Sequence, residues 1–147
     1  MKALAVMIVT VAVAVAITVL ISGRLKFEKY YIPANVERGW MVVDFGNPKC
    51  DSLQESGLSR VYRFPKTGYL CTSTHPTKGW VRKSFYLVGS AGELNEIKEN
   101  KDFFGFKRLF GTFGPCSIIA DAFWYSPGEK LNSDEFEFLE KHRPECH

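Results

Sequence analysis

The sequence lacks the short motifs that mark several well-known classes of protein. Its four cysteines form no CxxC pair and have no zinc-type spacing, so they do not indicate a zinc site. It contains no nucleophile elbow and no oxyanion loop, so a hydrolase built on those motifs is not indicated. The formal net charge is only +3 and the basic residues are scattered, which argues against a nucleic-acid partner.

The longest uncharged segment is Ala3–Ile21, nineteen residues interrupted only by Thr10 and Thr18. A helix rises about 1.5 Å per residue, so this run would cover roughly 28 Å, close to the hydrocarbon thickness of a bilayer. The run therefore predicts an uncleaved N-terminal transmembrane helix that contacts the lipid. A cleaved signal peptide is the alternative, but neither Ala14–Ala16 nor Ile21–Gly23 offers a good cleavage site.

Two features of the sequence predict opposite orientations of this anchor in the membrane. Arg24, Lys26 and Lys29 follow the apolar run while only Lys2 precedes it, and the positive-inside tendency would then keep the domain in the cytoplasm. A short amino-terminal lead followed by a long domain is instead typical of export. We expect export, with the domain on the periplasmic or extracellular side of the cytoplasmic membrane.

The cysteines support export, because an even number behind such a segment is typical of disulfides in an oxidising compartment. Four cysteines allow three connectivities. We expect Cys50 to pair with Cys71 and Cys116 with Cys146. Four buried thiols in a cytoplasmic domain are the alternative, since free cysteine is among the most buried residue types.

The chain therefore divides into an anchor over residues 1–23, a basic stalk over residues 24–29 and a single domain over residues 30–147. Aromatic residues are abundant, with three Trp, six Tyr and twelve Phe, and Gly and Pro recur at short intervals. This composition favours strands over long helices. We predict a mainly β fold, an antiparallel β-sandwich with one short C-terminal helix.

Several segments have the pattern of a strand. Gly39–Phe45 alternates so that Met41, Val43 and Phe45 share the predicted core face. Tyr30–Pro33 is predicted to be an edge strand or an extended lead, and Arg60–Phe64 with Gly68–Thr72 a hairpin. Gly79–Val88 is predicted to be a further strand, partly apolar on both faces. The polar segment Ser90–Lys107 is predicted to be an insertion or one helical turn.

The most apolar part of the domain is Gly111–Tyr125, which predicts one long core strand. Alternate residues from Cys116 to Trp124 share one face, and those from Ile119 to Tyr125 share the other. Asn132 or Ser133 then caps a predicted helix that runs to Arg143 and packs through Phe136 and Leu139.

Four segments of the chain are similar to those of a family of small bacterial proteins. They are IPANVERGWMVVDFGNPKC, GYLCTST, a second GW followed by FYLV, and GTFGPCSIIADAFWYSP. The chain resembles an uncharacterised domain-of-unknown-function family of exported or membrane-anchored proteins. The resemblance covers about Tyr31 to Pro127. It implies an envelope protein and supplies no catalytic residue.

Asp121 and His75 are the candidate catalytic residues. Asp121 is flanked by apolar residues on a predicted strand, so it is either paired or solvated, and Arg60, Arg63 or Arg82 could pair with it. His75 follows a Thr-Ser-Thr run, which is more typical of a hairpin end than of a nucleophile with its base. If both residues were catalytic, they would meet in one cleft.

Exposed aromatic residues are the alternative kind of site. Trp40, Trp80 and Trp124 could form a platform for a carbohydrate or a lipid, although tryptophan is more often part of the core. His142, Cys146 and His147 are close in sequence, but zinc needs a fourth ligand and a less frayed location, so we expect no metal and no cofactor.

These observations predict a single-pass membrane protein of the cell envelope with a non-enzymatic binding or structural β-domain. Its expected partner is an envelope protein or a cell-wall polymer. The alternative is a small envelope hydrolase that uses Asp121 and His75. Exposed aromatics in one patch would favour binding, whereas a shared cleft would favour catalysis.

Overall fold

A computed structural model of the protein describes residues 26–36, 39–97, 103–113, 115–125 and 134–143. In chain order the elements are β1 Lys26–Pro33, β2 Gly39–Phe45, β3 Gln54–Ser56, β4 Ser59–Arg63, β5 Tyr69–Thr72, β6 Val81–Val88, β7 Leu94–Ile97, β8 Phe103–Phe113, β9 Cys116–Tyr125 and the helix α1 Glu135–His142. The fold of these residues is mainly β, as predicted.

The strands form two mixed sheets. Sheet A has the order β3-β4-β1-β6-β7, and sheet B has the order β5-β2-β9-β8. In sheet A, β1 pairs in parallel with both β4 and β6, and in sheet B β2 pairs in parallel with β5. The predicted antiparallel sandwich is therefore corrected to a mixed one, because the alternation of side chains reports which face is buried and not the direction of the neighbouring strand.

The main core fills the space between the two sheets. Tyr30 lies between its register partners Tyr62 and Phe85, with ring centroids 4.4 and 4.7 Å away. Sheet B contributes Phe123, whose ring meets that of Tyr30 edge-on at 5.9 Å. Aromatic pairs of this kind add to the free energy of burial, so this row stabilises the contact between the sheets.

A second core lies on the other side of sheet B, beneath α1. Leu139 of the helix is buried in a cluster with Trp40 and Val42 of β2 and Ala120 and Ala122 of β9. Both faces of β2 and β9 are therefore covered, which explains their nearly continuous apolar sequences.

The bounds predicted for Gly39–Phe45 are confirmed, and its predicted core face packs between the sheets. The face alternation predicted for β9 is also confirmed, since Ile118 lies in the cluster beneath the helix and Phe123 between the sheets. The single strand predicted over Gly111–Tyr125 is instead the end of β8 followed by β9, with a turn at Pro115.

Two further predictions are wrong. Arg60–Phe64 and Gly68–Thr72 do not form a hairpin, because β4 belongs to sheet A and β5 to sheet B. The turn between them, closed by a hydrogen bond from Gly68 N to Pro65 O, carries the chain from one sheet to the other. The polar segment Ser90–Lys107 contains β7 and the start of β8 rather than a helical turn, since strands at sheet edges tolerate polar residues.

Strand β1 lies in the centre of sheet A and not at its edge. A central position is possible because Pro33, which has no N–H to donate, is the last residue of the strand and removes no hydrogen bond from the sheet. It begins at Lys26, inside the segment assigned to the stalk. Among the residues described, no helix is long and apolar enough to cross a membrane. The predicted anchor Ala3–Ile21 lies outside those residues.

Candidate functional site

An open groove of about 320 Å³ lies at one end of sheet A. Strands β4, β1 and β6 run in parallel, so their carboxyl ends at Arg63, Pro33 and Val88 meet at the same edge. The loops that leave this edge build the walls, as they do at the carboxyl ends of parallel sheets in general. The lining includes Tyr31, Pro33, Asn35, Arg63, Phe64 and Ser90.

Tyr31 lines the groove. It pairs in register with Arg63 on one neighbouring strand and with Tyr86 on the other. The guanidinium carbon of Arg63 lies 4.8 Å from the centroid of the Tyr31 ring, and the Tyr86 ring stacks on the opposite side at 5.4 Å. A cation held on an aromatic face keeps its fork of N–H donors available for a carboxylate or phosphate.

Backbone hydrogen bonds hold the loops around the groove. Ala34 N donates to Val88 O at 2.8 Å, and Phe64 N donates to Tyr31 O at 2.9 Å. On the far wall, Gly89 N donates to Glu93 O at 2.9 Å. These bonds join three different strand ends, so the groove is formed without a ligand. A pre-formed site loses little conformational entropy on binding.

Asp121, the first candidate from the sequence, is fully buried between the sheets. Arg108 Nε and Nη2 donate to its two carboxylate oxygens at 2.6 and 2.8 Å, and Lys83 Nζ lies 4.0 Å from Oδ2. These hydrogen bonds raise the pKa of Arg108 above its ordinary value. The partner of Asp121 is thus its cross-strand neighbour Arg108.

The partners expected for Asp121 were Arg60, Arg63 and Arg82, and this expectation is corrected. Arg60 instead binds Glu55 and the backbone oxygen of His75, each at 2.8 Å. Arg63 stacks on Tyr31 at the groove. Arg63 and Arg82 are exposed, whereas Asp121 is buried and is bound by the strand adjacent to it in sheet B.

A second buried carboxylate, Glu28, lies on the inner face of sheet A. The hydroxyls of Tyr30 and Tyr62 donate to its two oxygens, each at 2.8 Å. Burial, reinforced by the negative charge of Glu28, raises the pKa of both tyrosines well above their ordinary value, so both phenols remain protonated donors. Asp121 and Glu28, the carboxylates buried between the sheets, therefore each have both oxygens occupied by donors of the protein itself.

The structure does not bring the two catalytic candidates together. The side chain of His75 is exposed beside Gly46. In the part of the chain that the structure describes, no hydrogen bond joins His75 to Asp121, whose oxygens are bound by Arg108.

The cysteines form a disulfide where one was expected. Cys50 is bonded to Cys71, with their Cα atoms 5.8 Å apart, which ties the loop after β2 to β5. Cys116 is disulfide-bonded as well. Cys146, its expected partner, lies outside the described residues.

The three tryptophans occupy different environments. Trp40 is 3% exposed, and the Trp124 ring packs against it edge-on at 5.5 Å on the side of sheet B that faces the helix. Trp80, just before β6 in sheet A, is 89% exposed. The three rings therefore do not form one platform.

His142, the described member of the candidate metal group, stacks on Tyr69 with centroids 5.0 Å apart, and its Nδ1 lies 2.8 Å from Phe138 O. Cys146 and His147 are outside the described residues. Within residues 26–143, leaving aside the undescribed gaps, no three His, Cys, Asp or Glu side chains are grouped to hold a metal ion.

The groove is not evident from the sequence, in which Arg63 is a candidate partner of Asp121 and Tyr31 belongs to a predicted edge strand. The missing information was the parallel pairing of β1, since only that pairing brings Arg63 and Tyr86 to either side of Tyr31.

Comparisons with known proteins identify the family and the fold. A family model described as "Family of unknown function (DUF6843)" matches residues 26–142. No curated protein matches the chain. The fold is similar to that in a crystal structure of a "Putative Lipoprotein from Bacillus anthracis", with 19% sequence identity and a TM-score of 0.62 over 82% of this chain and 91% of that one.

Proposed function

This chain belongs to the family of unknown function DUF6843, whose model matches most of its length, and we propose that it is a non-enzymatic binding protein anchored in the bacterial cell envelope. The observation that carries the proposal is the pre-formed groove at the carboxyl ends of β1, β4 and β6. Ala3–Ile21 supports the anchor, and the similarity in fold to the Bacillus anthracis protein described as a "Putative Lipoprotein" supports an envelope location.

The groove favours an anionic ligand with an apolar surface. Pro33, Phe64 and Val88 supply apolar walls, and Arg63 supplies a fixed cation at the rim. Tyr31 offers an aromatic surface beside that cation. An acidic, ring-containing segment of a cell-wall polymer fits this combination, because its carboxylate or phosphate would bind the guanidinium fork while its rings pack on the walls.

The carboxylates of Asp121 and Glu28, buried between the sheets, favour binding over catalysis. A general acid or base must exchange a proton with a substrate and needs an oxygen that the substrate can reach. Both oxygens of Asp121 are held by Arg108, and both oxygens of Glu28 are held by Tyr30 and Tyr62. These contacts support a structural role for the two acids.

The proposal is tested by co-sedimentation of the full chain, in detergent micelles, with purified peptidoglycan sacculi. Sacculi that retain their covalently attached anionic polymer are compared with sacculi from which it has been removed by acid. We expect binding to the first preparation only, and we expect Arg63→Ala to weaken it about tenfold because the charge-assisted pair is lost.

The matched control is Arg82→Ala, which removes an exposed arginine from the same sheet at the far end of β6. It should leave binding unchanged. Equal effects of the two substitutions would show a diffuse charge effect and would contradict a role for the groove. Binding abolished by protease treatment of the sacculi would identify a wall-associated protein as the partner instead.

A further inference from the structure

Two large apolar side chains are exposed at the amino-terminal end of sheet A, opposite the groove. Trp80 is 89% exposed and precedes β6, and Leu58 is 52% exposed and precedes β4. The register pairs Lys26 with Val81, and Phe27 N donates to Leu58 O at 3.0 Å. Trp80 and Leu58 therefore lie on either side of the start of β1, with backbones about 10 Å apart.

The position of this end relative to the apolar run follows from covalent geometry. Four residues separate Ile21 from Lys26, so even a fully extended link places Lys26 within about 18 Å of the end of the run. If Ala3–Ile21 spans a bilayer, as the proposed function requires, the end of sheet A that carries Trp80 and Leu58 lies at or beside the headgroup region.

The charges at this end suit a lipid surface. Lys26 and Lys78 are exposed beside the two apolar side chains. The acidic residue nearby, Glu55, is bound by Arg60 at 2.8 Å, so its charge is compensated. Tryptophan is enriched at membrane interfaces, where its ring lies at headgroup level, and lysine side chains are attracted to an anionic surface.

From these observations we infer a second membrane contact, which rests on the proposed anchor: Trp80 and Leu58 insert into the interface of an anionic lipid bilayer, with Lys26 and Lys78 on its headgroups. The domain is then fixed to the surface by its own sheet as well as by the anchor. Because β1 is eight residues long, the groove at its other end faces away from the lipid at a distance of about 26 Å.

The experiment uses the full chain reconstituted into vesicles of phosphatidylcholine and phosphatidylglycerol, with and without bromine on the acyl chains. Bromine quenches only indoles that reach the lipid. The emission of Trp80 is obtained as the difference between the unaltered chain and Trp80→Phe. We expect brominated lipid to quench this emission about twofold. The emission of Trp40 and Trp124, which remains in the variant, should be unchanged.

A relocated indole provides the control. Leu94 is 53% exposed and pairs with Val88 at the groove end of the sheet, so Trp80→Phe combined with Leu94→Trp moves an exposed indole to the opposite end. That indole should not be quenched. Equal quenching at both positions, or no quenching of Trp80 in protein that floats with the vesicles, would overturn the contact alone. Failure of the full chain to float with vesicles would overturn the anchor and the contact together.

Discussion

At the scale of single residues, Asp121 and Glu28 show how a carboxylate is accommodated between the sheets. Asp121 is bound by an arginine of the adjacent strand, and Glu28 is bound by two tyrosine hydroxyls. A buried charge that keeps its partners costs little, but one that loses a partner retains its desolvation cost. Removing one partner should therefore lower the stability of the fold more than removing both members of the pair.

Arg108→Met tests this asymmetry. It leaves Asp121 with Lys83 at 4.0 Å and should lower the free energy of unfolding by about 2 kcal/mol, a value below the fully buried range because Arg108 is partly exposed. Adding Asp121→Asn should recover part of the loss. The measurement is urea denaturation, and Arg82→Met, an exposed control, should change stability by less than about 0.5 kcal/mol. Similar losses for Arg108→Met and Arg82→Met would contradict the assigned ion pair.

The sequence indicated that Asp121 needs a partner but not which one. An aspartate between apolar residues on a strand must be paired if it is buried, and this much follows from one strand alone. Arg108 becomes its neighbour only through the pairing of β8 with β9. Because the residues up to Lys107 had the polar composition of a loop, that pairing had no visible signal.

At the scale of elements, α1 is attached to sheet B by apolar packing, by the stacking of His142 on Tyr69 and by ion pairs. Leu139 packs in the cluster with Trp40 and Val42, and Lys107 of β8 forms an ion pair with Glu135 at 2.9 Å. The helix has acidic residues in its first turn and basic ones in its last, which is the arrangement that its dipole favours. An eight-residue helix is too short to be stable alone, so its packing decides whether it forms.

Leu139→Ala should therefore destabilise the protein by about 3 kcal/mol, since it opens a cavity under the helix. The matched control is Glu140→Ala, an adjacent exposed position, for which the change should be within about 0.5 kcal/mol. Thermal denaturation followed by tryptophan emission is a suitable measurement because Trp40 lines the same cluster. Equal midpoints for the two variants would show that the helix contributes little to the core.

Elements with a strong pattern were predictable, and the pairing of elements was not. Gly39–Phe45 has a run of apolar residues bounded by glycines, and its bounds agree with β2. The hairpin assigned to Arg60–Phe64 and Gly68–Thr72 rested on a short turn, but the same turn length serves equally for a crossing between two sheets. The groove depends on this pairing, so it could not be derived from individual segments.

At the scale of the whole molecule, buried phenols link stability to alkaline pH. Burial is the main cause that raises the pKa of Tyr30, Tyr62 and Tyr69, with nearby Glu28 or Asp44 adding to it. In the unfolded chain these phenols ionise near their ordinary pKa of 10.0. Above that pH the unfolded state binds fewer protons than the folded state, so stability falls as pH rises.

We expect the free energy of unfolding to decline steadily above about pH 10, and the phenolate absorbance of these tyrosines to appear only with unfolding. Replacing Tyr30 and Tyr62 by Phe should make the decline shallower, although it lowers stability at neutral pH by leaving Glu28 without donors. Denaturant titrations from neutral to alkaline pH measure the slope. An unchanged slope in the double variant would contradict the buried, protonated state of these two hydroxyls.

The parallel pairing of β1 also determines the order in which the chain can assemble during synthesis. Lys26 pairs with Val81, 55 residues later in the sequence, so a ribosome making 5 to 20 residues per second takes roughly 3 to 11 s to supply the strand that completes the centre of sheet A. During that interval the edge of β1 that pairs with β6 in the folded protein has no partner strand. Until then this edge of β1 is open to pairing with other chains, as unpaired strand edges are in general.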